Sequence, residues 1–310
     1  MYWCFALVLK LVPRTVEFYW YWYRLLKFWY RDNTTQLYIS SRPDDSFQLS
    51  KLAECIEDIK HWMTCNFLLL NSNKTEILLI RPKTREQNIS DYNLQIEGCT
   101  VAPTNTVKHL GVILDSNLSF KNHISNVTKT AFFHLRNVAK LRNILSVADA
   151  EKLIHAFVTS RLDYCNALLS GCPASSINKL QLVQNAAARV LTTSRKYNHI
   201  TPMLSTLHWL PIKYRIDFKV LLITYKALNG LAPTYITELL PHYNRSRSLR
   251  SQNSRLLKTP RITKSTKGGR AFSYVAPKLW NSLPDTIRGS DTLSQYKSRL
   301  KTHFFSQAFT

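Results

Sequence analysis

Three aspartates near the N-terminus, Asp32 and the adjacent pair Asp44 and Asp45, have the clearest potential for metal chemistry. Converging carboxylates can hold two divalent ions that clamp the attacking and leaving oxygens of a nucleotidyl-transfer reaction. Asp32 alone cannot hold two Mg²⁺ ions. Asp45 with Gln48 three residues later is typical of a capping box. We therefore favour the interpretation that Asp44 and Asp45 begin a helix. The alternative is that they are catalytic carboxylates displaced from their usual position in the sequence.

The second chemical feature is an excess of positive charge. The chain has 42 Lys and Arg against 19 Asp and Glu, and residues 245–278 contain ten basic residues and no acidic one. Such an excess attracts nucleic acid or anionic membrane. We predict weak, largely sequence-independent binding of RNA or single-stranded DNA through phosphates, against the alternative of a solvated tail that binds any polyanion. The candidate binding residues are Arg245, Arg247, Arg250, Arg255, Lys258, Arg261, Lys264, Lys267 and Arg270.

A second polar surface is predicted on a helix at about 175–193. Five polar residues there form one side that could face a duplex backbone, although a solvated helix face explains them equally well. These residues are Lys179, Gln181, Gln184, Asn185 and Arg189.

The six cysteines occur singly, at positions 4, 55, 65, 99, 165 and 172, without a CxxC pair or the nearby histidines of a zinc finger. We therefore predict no metal site and no cofactor, and reduced, mostly buried thiols in an intracellular protein of the cytoplasm or nucleus. Nucleophile elbows, phosphate-binding glycine loops and HExxH motifs are absent from the sequence, so no small-molecule substrate is predicted.

Residues 1–34 differ from the rest in composition, since the first 30 residues hold 12 aromatic side chains. Lys10, Arg14 and Glu17 interrupt the apolar run, so no uncharged stretch approaches the roughly 20 residues of a membrane span. One interpretation is an interfacial anchor, in which residues 1–30 hold a basic peripheral membrane protein at the headgroups. We favour a non-native leader that was never selected to fold.

The elements that would position these residues change in character along the chain. Short strands are predicted at 35–40, 67–70, 77–80, 94–96 and 107–114, with a helix at 46–63. Later helices are predicted from about 121, at 149–169, 175–193, 212–228 and 293–305. The fold class is therefore α+β, in which a small antiparallel sheet precedes a mainly helical region and a basic, loosely structured C-terminal segment.

Three motifs carry a family resemblance: Thr35-Gln36-Leu37-Tyr38, the turn at 71–76 before an apolar run, and the sequence His-Leu-Gly-Val-Ile-Leu-Asp at 109–115. Together they resemble the palm of a non-LTR (LINE-type) retrotransposon reverse transcriptase, and the segments 231–236 and 269–284 resemble the C-terminal part of fish-type elements. The resemblance implies a partial palm at 35–116, a helical thumb-like region at 117–242, and a basic tail with a terminal helix at 243–310.

The same resemblance implies a lost active site. The family's aspartate pair, which precedes the Thr-Gln-Leu-Tyr motif, corresponds here to Asn33 and Thr34. Lys74 matches the position of a candidate general acid and would be vestigial, whereas Leu110 and Gly111 resemble the primer grip. Since 34 residues precede Thr35, the fingers are also expected to be missing. The prediction is a truncated, catalytically inactive remnant, not an enzyme, with retained nucleic-acid binding; a membrane role and a chain with no selected function are the alternatives.

Overall fold

The computed structural model describes residues 3–13, 34–41, 46–71, 74–80, 93–96, 98–242, 255–262 and 267–310. The chain divides into two compact units, residues 1–123 and 124–310. The first contains strands and one long helix, and the second is mainly helical. The predicted α+β fold class is confirmed.

The strands of the first unit form one larger sheet and two small hairpins. In the larger sheet the order is β2-β1-β4-β7, and β3 pairs with the end of β1. All pairings of β1 are antiparallel, whereas β4 and β7 are parallel. The nine described strands are β1 Trp3–Pro13, β2 Thr34–Ser41, β3 Leu68–Leu70, β4 Glu76–Ile80, β5 Leu94–Ile96, β6 Cys99–Val101, β7 Pro103–Thr104, β8 Thr106–His109 and β9 Val112–Asp115.

Strand β1 comes from residues 1–34, the segment that we interpreted as a non-native leader. Leu7 lies opposite Leu37 of β2 on one side and Ile77 of β4 on the other, so β1 occupies the interior of the sheet. An extended apolar segment joins such a sheet because its backbone N–H and C=O groups need partners on both sides. The aromatic run at 18–23 lies outside the described residues.

Helix α1, Ser46–Cys65, packs on this sheet and agrees with the helix predicted at 46–63. Leu52, Ile56 and Met63 repeat at helical spacing and are buried against Leu70 and Ile77. The proposed capping box at Asp45 lies outside the described residues.

The single strand predicted at 107–114 is wrong, because β8 and β9 form a hairpin there. His109 pairs with Val112, which leaves Leu110 and Gly111 as a two-residue turn with φ angles of 45° and 81°. Positive φ at both positions defines a type I′ turn, whose twist matches that of the strands. The sequence does not predict this turn, because its first residue is leucine, whereas asparagine or glycine is usual at that position.

Helices dominate the second unit. The described α-helices after α1 are α2 Lys121–Leu141, α3 Val147–Ile154, α4 Ser160–Asp163, α5 Ala174–Thr192, α6 Ile200–Thr206, α7 Ile212–Leu228, α8 Thr234–Thr237, α9 Phe272–Ser282, α10 Asp285–Arg288 and α11 Leu293–Phe309. The helices predicted at 121, 175–193, 212–228 and 293–305 are confirmed by α2, α5, α7 and α11.

The helix predicted at 149–169 is interrupted. A π-helical turn, His155–Thr159, separates α3 from α4, and the chain leaves α4 at Tyr164. Cys165 then adopts a left-handed conformation before a 3₁₀ turn, Asn166–Leu169. No glycine or proline occurs in the π turn or at the left-handed Cys165, so the sequence did not predict this interruption of the helix.

The core of the second unit forms around α7. The Tyr225 ring stacks on Tyr296 of α11 at 4.1 Å between ring centroids, and Trp280 of α9 lies 6.0 Å from Tyr296. Both tyrosine hydroxyls donate to backbone oxygens, Tyr225 to Ser290 at 2.9 Å and Tyr296 to Leu221 at 3.2 Å. Burial raises the pKa of Tyr296 far above its usual range. These three aromatic side chains therefore join α7, α9 and α11 into one core.

Part of the basic C-terminal segment, residues 255–262, packs on this core. Leu257 is 1% exposed and belongs to the same core. The Asn281 side chain accepts from the Leu257 N–H at 2.9 Å and donates to its carbonyl at 2.8 Å. The indole of Trp280 donates to the carbonyl of Arg255 at 2.8 Å. The side chains of Asn281 and Trp280 thus bond to the backbone of residues 255–257 and hold it against α9.

Two further features of the described residues bear on the predictions. No described helix is long and apolar enough to cross a bilayer. Of the five cysteines whose side chains the structure describes, four are exposed and Cys172 is half-buried, which makes our expectation of mostly buried thiols wrong for this part of the chain. Cys55 and Cys65 lie on the solvent side of α1, where helical spacing directs them away from the sheet.

Candidate nucleic-acid interface

Positive charge is concentrated in the helical unit. Residues 124–310 hold 28 Lys and Arg against seven Asp and Glu, a net charge of +21 out of the chain's +23. Residues 1–123 hold 14 and 12 of these residues, a net charge of +2. An anionic ligand is therefore attracted to the helical unit and hardly at all to the strand-rich one.

One exposed face of α2 carries cations at helical spacing. Lys129, Phe133, Arg136 and Lys140 are all exposed and follow one another at intervals of three or four residues, which places them along one side of the helix. The opposite side, including Leu135, is buried. The 21 residues of α2 include no Asp or Glu, so no carboxylate on this helix competes for its cations.

Aromatic rings lie beside these cations. The His134 ring stacks on Phe157 of the π turn at 5.4 Å and meets the edge of Phe133 at 5.3 Å. Arg161 of α4 approaches the Nε2 atom of His134 at 3.1 Å. Phe133 is 54% exposed and Phe157 is 44% exposed, so much of each ring faces solvent. Our sequence analysis missed this cluster, because its members come from separate segments that only the fold brings together.

The basic C-terminal segment is described only in part. Arg245, Arg247, Arg250 and Lys264 lie outside the described residues. Arg255, Lys258, Arg261 and Lys267 are exposed, and Arg270 is half-buried.

The described cations of this segment differ in their surroundings. An Nη of Arg255 lies 3.5 Å from the carbonyl of Arg288, and an Nη of Arg270 lies 3.4 Å from the Cys172 sulfur. The Arg270 side chain also lies where a Cβ on Gly171 would stand, so Gly171 leaves room for it. Within the described part of the chain, the side chains of Lys258 and Arg261 have no hydrogen-bond or ion-pair partner.

The polar side of α5 faces the protein instead of a ligand. Gln184 is buried and donates to the carbonyl of Leu210 at 2.9 Å, while Gln181 accepts from the N–H of Ile212 at 2.9 Å. Gln181 also donates to Asn185 at 2.8 Å. These amides satisfy backbone groups where α7 begins. For Gln181, Gln184 and Asn185, neither a surface that faces a duplex backbone nor a solvated helix face is therefore correct.

The flanking cations of α5 have separate surroundings. Lys179 is exposed at the start of the helix, and Arg189 donates to the carbonyl of Asn198 at 3.4 Å. Lys179 is thus the member of the predicted set that remains available to solvent.

The positions to which the resemblance assigned catalytic or primer-grip roles all belong to residues 1–123. Thr34 begins β2, while Asn33 lies outside the described residues. Lys74 is exposed in the turn before β4, where its N–H donates to the backbone and side-chain oxygens of Asn71, both at 3.1 Å. Leu110 and Gly111 form the β8–β9 turn described above. The structure thus shows Lys74, Leu110 and Gly111 as turn residues and Thr34 as the first residue of a strand.

A buried carboxylate that the sequence analysis did not single out ends β9. Asp115 accepts the N–H groups of Asn117 at 3.1 Å, Ser119 at 2.9 Å and Phe120 at 2.7 Å, together with the Ser119 hydroxyl at 3.2 Å. These bonds occupy its oxygens and shape the loop into α2. Across the described residues, no three His, Cys, Asp or Glu side chains are close enough to hold a metal ion.

Comparison with known proteins relates the chain to transposon polymerases. A Drosophila melanogaster protein described as "Probable RNA-directed DNA polymerase from transposon BS" is 24% identical over 173 residues. The match covers 54% of this chain but 18% of the relative, so the chain spans less than a fifth of that protein's length. No family model and no solved structure matches. The similarity supports a relationship to transposon reverse transcriptases.

Proposed function

We propose that this chain is a catalytically inactive, reverse-transcriptase-derived protein whose helical unit binds nucleic acid. The observation that carries the proposal is the net charge of +21 on residues 124–310, together with the exposed cations of α2. A related polymerase acts on nucleic acid, and a surface of this charge recognises phosphates without reading bases. RNA and single-stranded DNA are the proposed ligands.

The proposed inactivity rests on residue types at the catalytic positions. Asn33 and Thr34 stand where the family resemblance places two aspartates, and neither supplies the carboxylate that a two-metal mechanism requires. Lys74 would then be a vestigial position. We also propose that Leu110 and Gly111 descend from a primer grip, with residues 35–116 as a partial palm, 117–242 as a thumb-like region and 243–310 as a basic tail.

Salt dependence of binding tests the proposed interface. Each phosphate contact to a single strand changes the slope of log K against log salt by about −0.7. Replacing Lys129, Arg136 and Lys140 with glutamine should therefore flatten the slope by about 2 units. A control variant that removes the same charge from other exposed lysines, Lys152, Lys297 and Lys301, should flatten it by less.

Two outcomes would contradict this interface. Equal flattening in both variants, with heparin displacing the strand as well as structured RNA does per charge, would show a general cation exchanger. An unchanged slope in the α2 variant, with a flattened slope in Lys258→Gln/Arg261→Gln, would place the contacts in the C-terminal segment.

Primer extension tests the proposed inactivity. Purified protein should give no product on a primed RNA template with Mg²⁺ or Mn²⁺. Extension that is lost with Asp44→Ala or Asp45→Ala would show that this pair is catalytic and that our helix-start interpretation is wrong.

A further inference from the structure

We propose that the aromatic cluster of Phe133, His134 and Phe157, with Arg161, stacks the unpaired bases of a single strand. This inference rests on the proposed nucleic-acid binding and names the kind of strand that this surface prefers. It assigns a base-contacting role to side chains that lie among the phosphate-binding cations of α2.

The geometry provides planar faces at the protein surface. His134 and Phe157 are close to parallel, with 18° between their planes, whereas Phe133 meets His134 at 78°. The rings of Phe133 and Phe157 are both about half exposed. They lie on either side of the His134 imidazole and therefore present two surfaces of different orientation. Unpaired bases stack on such rings because every base has a π-face, so the contact tolerates any sequence.

The arrangement is not explained by core packing. Buried neighbours such as Leu135 and Val138 already fill the inner side of α2. Phe133 and Phe157 leave about half of their surface in water, an arrangement that costs hydrophobic free energy unless something covers it. Phe157 also lies in a π turn, a backbone feature that is frequent at functional sites.

Charge at this surface selects an anionic ligand. Lys129 and Arg136 flank Phe133 on α2, and Arg161 lies one turn beyond Phe157. The acid nearest to Arg161 along the chain, Asp163, accepts from the Nε and one Nη of Arg215 and from the Asn166 amide. A ligand that is both negatively charged and rich in planar faces fits these neighbours. Single-stranded nucleic acid meets both conditions, whereas a duplex keeps its bases stacked on one another.

The test compares two strands that have equal numbers of phosphates. The full chain is titrated with a labelled oligothymidylate of about ten nucleotides and with an abasic phosphodiester strand of the same length. The wild-type protein should bind the base-containing strand more tightly. Phe133→Leu/Phe157→Leu should weaken binding of that strand by at least about fivefold, which corresponds to the loss of one stacked base, and leave the abasic strand unaffected. Phe157→Tyr should keep the preference, because it retains a ring.

Matched controls separate stacking from damage to the fold. Tyr235→Leu removes an aromatic ring of similar exposure from α8 and should leave both affinities unchanged. The helical circular dichroism and thermal transition of the leucine variant should match those of the wild type, since neither ring is buried.

The outcomes distinguish the two proposals. Binding of neither strand by the wild type would overturn the proposed function itself. Equal binding of both strands by wild type and leucine variant would leave phosphate binding in place and overturn the stacking site. In that case a protein partner becomes the occupant of the aromatic surface.

Discussion

Replacing Asn281 with alanine tests whether the helical unit holds the basic segment 255–262. The amide makes two hydrogen bonds to Leu257, at 2.9 Å and 2.8 Å, and Leu257 is 1% exposed, so water does not replace them while the segment stays docked. A buried polar group left without a partner costs about 1–3 kcal/mol. Two such groups should cost about 2–6 kcal/mol while the segment stays docked.

Undocking of the segment sets an independent limit on this cost. If residues 255–262 detach, the variant loses the burial of Leu257, about 1.5–3 kcal/mol, and the bond from Trp280 to the Arg255 carbonyl. Undocking is the less costly route, so the expected loss is about 2–4 kcal/mol. For the 187 residues at 124–310, it corresponds to a fall in melting temperature of about 4–16 °C.

The assay is chemical and thermal denaturation of the full chain, followed by tryptophan fluorescence and circular dichroism. Ser282→Ala is the matched control, because Ser282 is the next residue of α9, is exposed, and bonds only within its own helix, to Leu279 at 2.7 Å. A loss in Asn281→Ala within about 0.5 kcal/mol of this control would refute the docking that we describe.

Three other predictions concern pH, turn strain and the sheet. Burial raises the pKa of Asp217 to about 6, from 3.8, despite Lys213 nearby, so its contribution to stability is complete below pH 4 and is lost as the pH rises through 6. Asp217→Asn should remove this loss, worth up to about 3 kcal/mol, in denaturation midpoints compared between pH 4 and 7; equal pH dependence in both proteins would contradict it. Leu110→Asn should stabilise the β8–β9 turn by about 0.5–1 kcal/mol, since asparagine tolerates φ of 45° better than leucine, and a lower melting temperature would oppose this explanation. Deleting residues 1–13 should speed amide exchange in β4 without changing exchange in α7, whereas unaltered exchange in β4 would show that β1 is not part of the sheet.

The sequence predicted an element correctly where residues at the ends of that element mark its start and stop. Helix α7 begins after Pro211 and ends at Asn229 and Gly230, and its apolar residues repeat at helical spacing, so the sequence predicted both ends. The turn at Leu110 and Gly111 shows the opposite case. There the hairpin depends on pairing between two strands, and leucine is not a residue from which a type I′ turn is predicted.

Helices α9 and α10 were missed, although α11 was predicted, because we gave the loop-forming composition around them more weight than their periodicity. Pro277 lies inside α9, and Gly268, Gly269 and Pro284 surround it, a pattern that normally indicates loop. What holds α9 is tertiary packing of Trp280 against Tyr296, which a local reading of the sequence does not reveal. The core contacts of α9 therefore outweigh the nearby glycine and proline residues, which by themselves would favour a loop.

For the candidate interface, composition predicted the sign of the charge but not which cations are available. Arg142 donates to the carbonyls of Leu145, Val190 and Leu191, which caps the end of α5. Arg288 is buried and bonds to the carbonyls of Trp280 and Asn281 and to Asp285. In the described residues these arginines serve the fold, although a charge count treats them as binding residues.

Net charge and exposed cations should accordingly govern different properties of binding. Long-range attraction depends on the total field, to which Arg142 contributes even though its donors are engaged. The salt slope depends on phosphates in direct contact, which the exposed side chains of Lys129, Arg136 and Lys140 can reach and the engaged ones cannot. We therefore expect a salt slope that is much smaller than 21 phosphate contacts would give. Association should nevertheless be fast, because it depends on the total charge of +21. This difference follows from a fold in which Arg142 and Arg288 bond to backbone carbonyls while Lys129, Arg136 and Lys140 remain exposed.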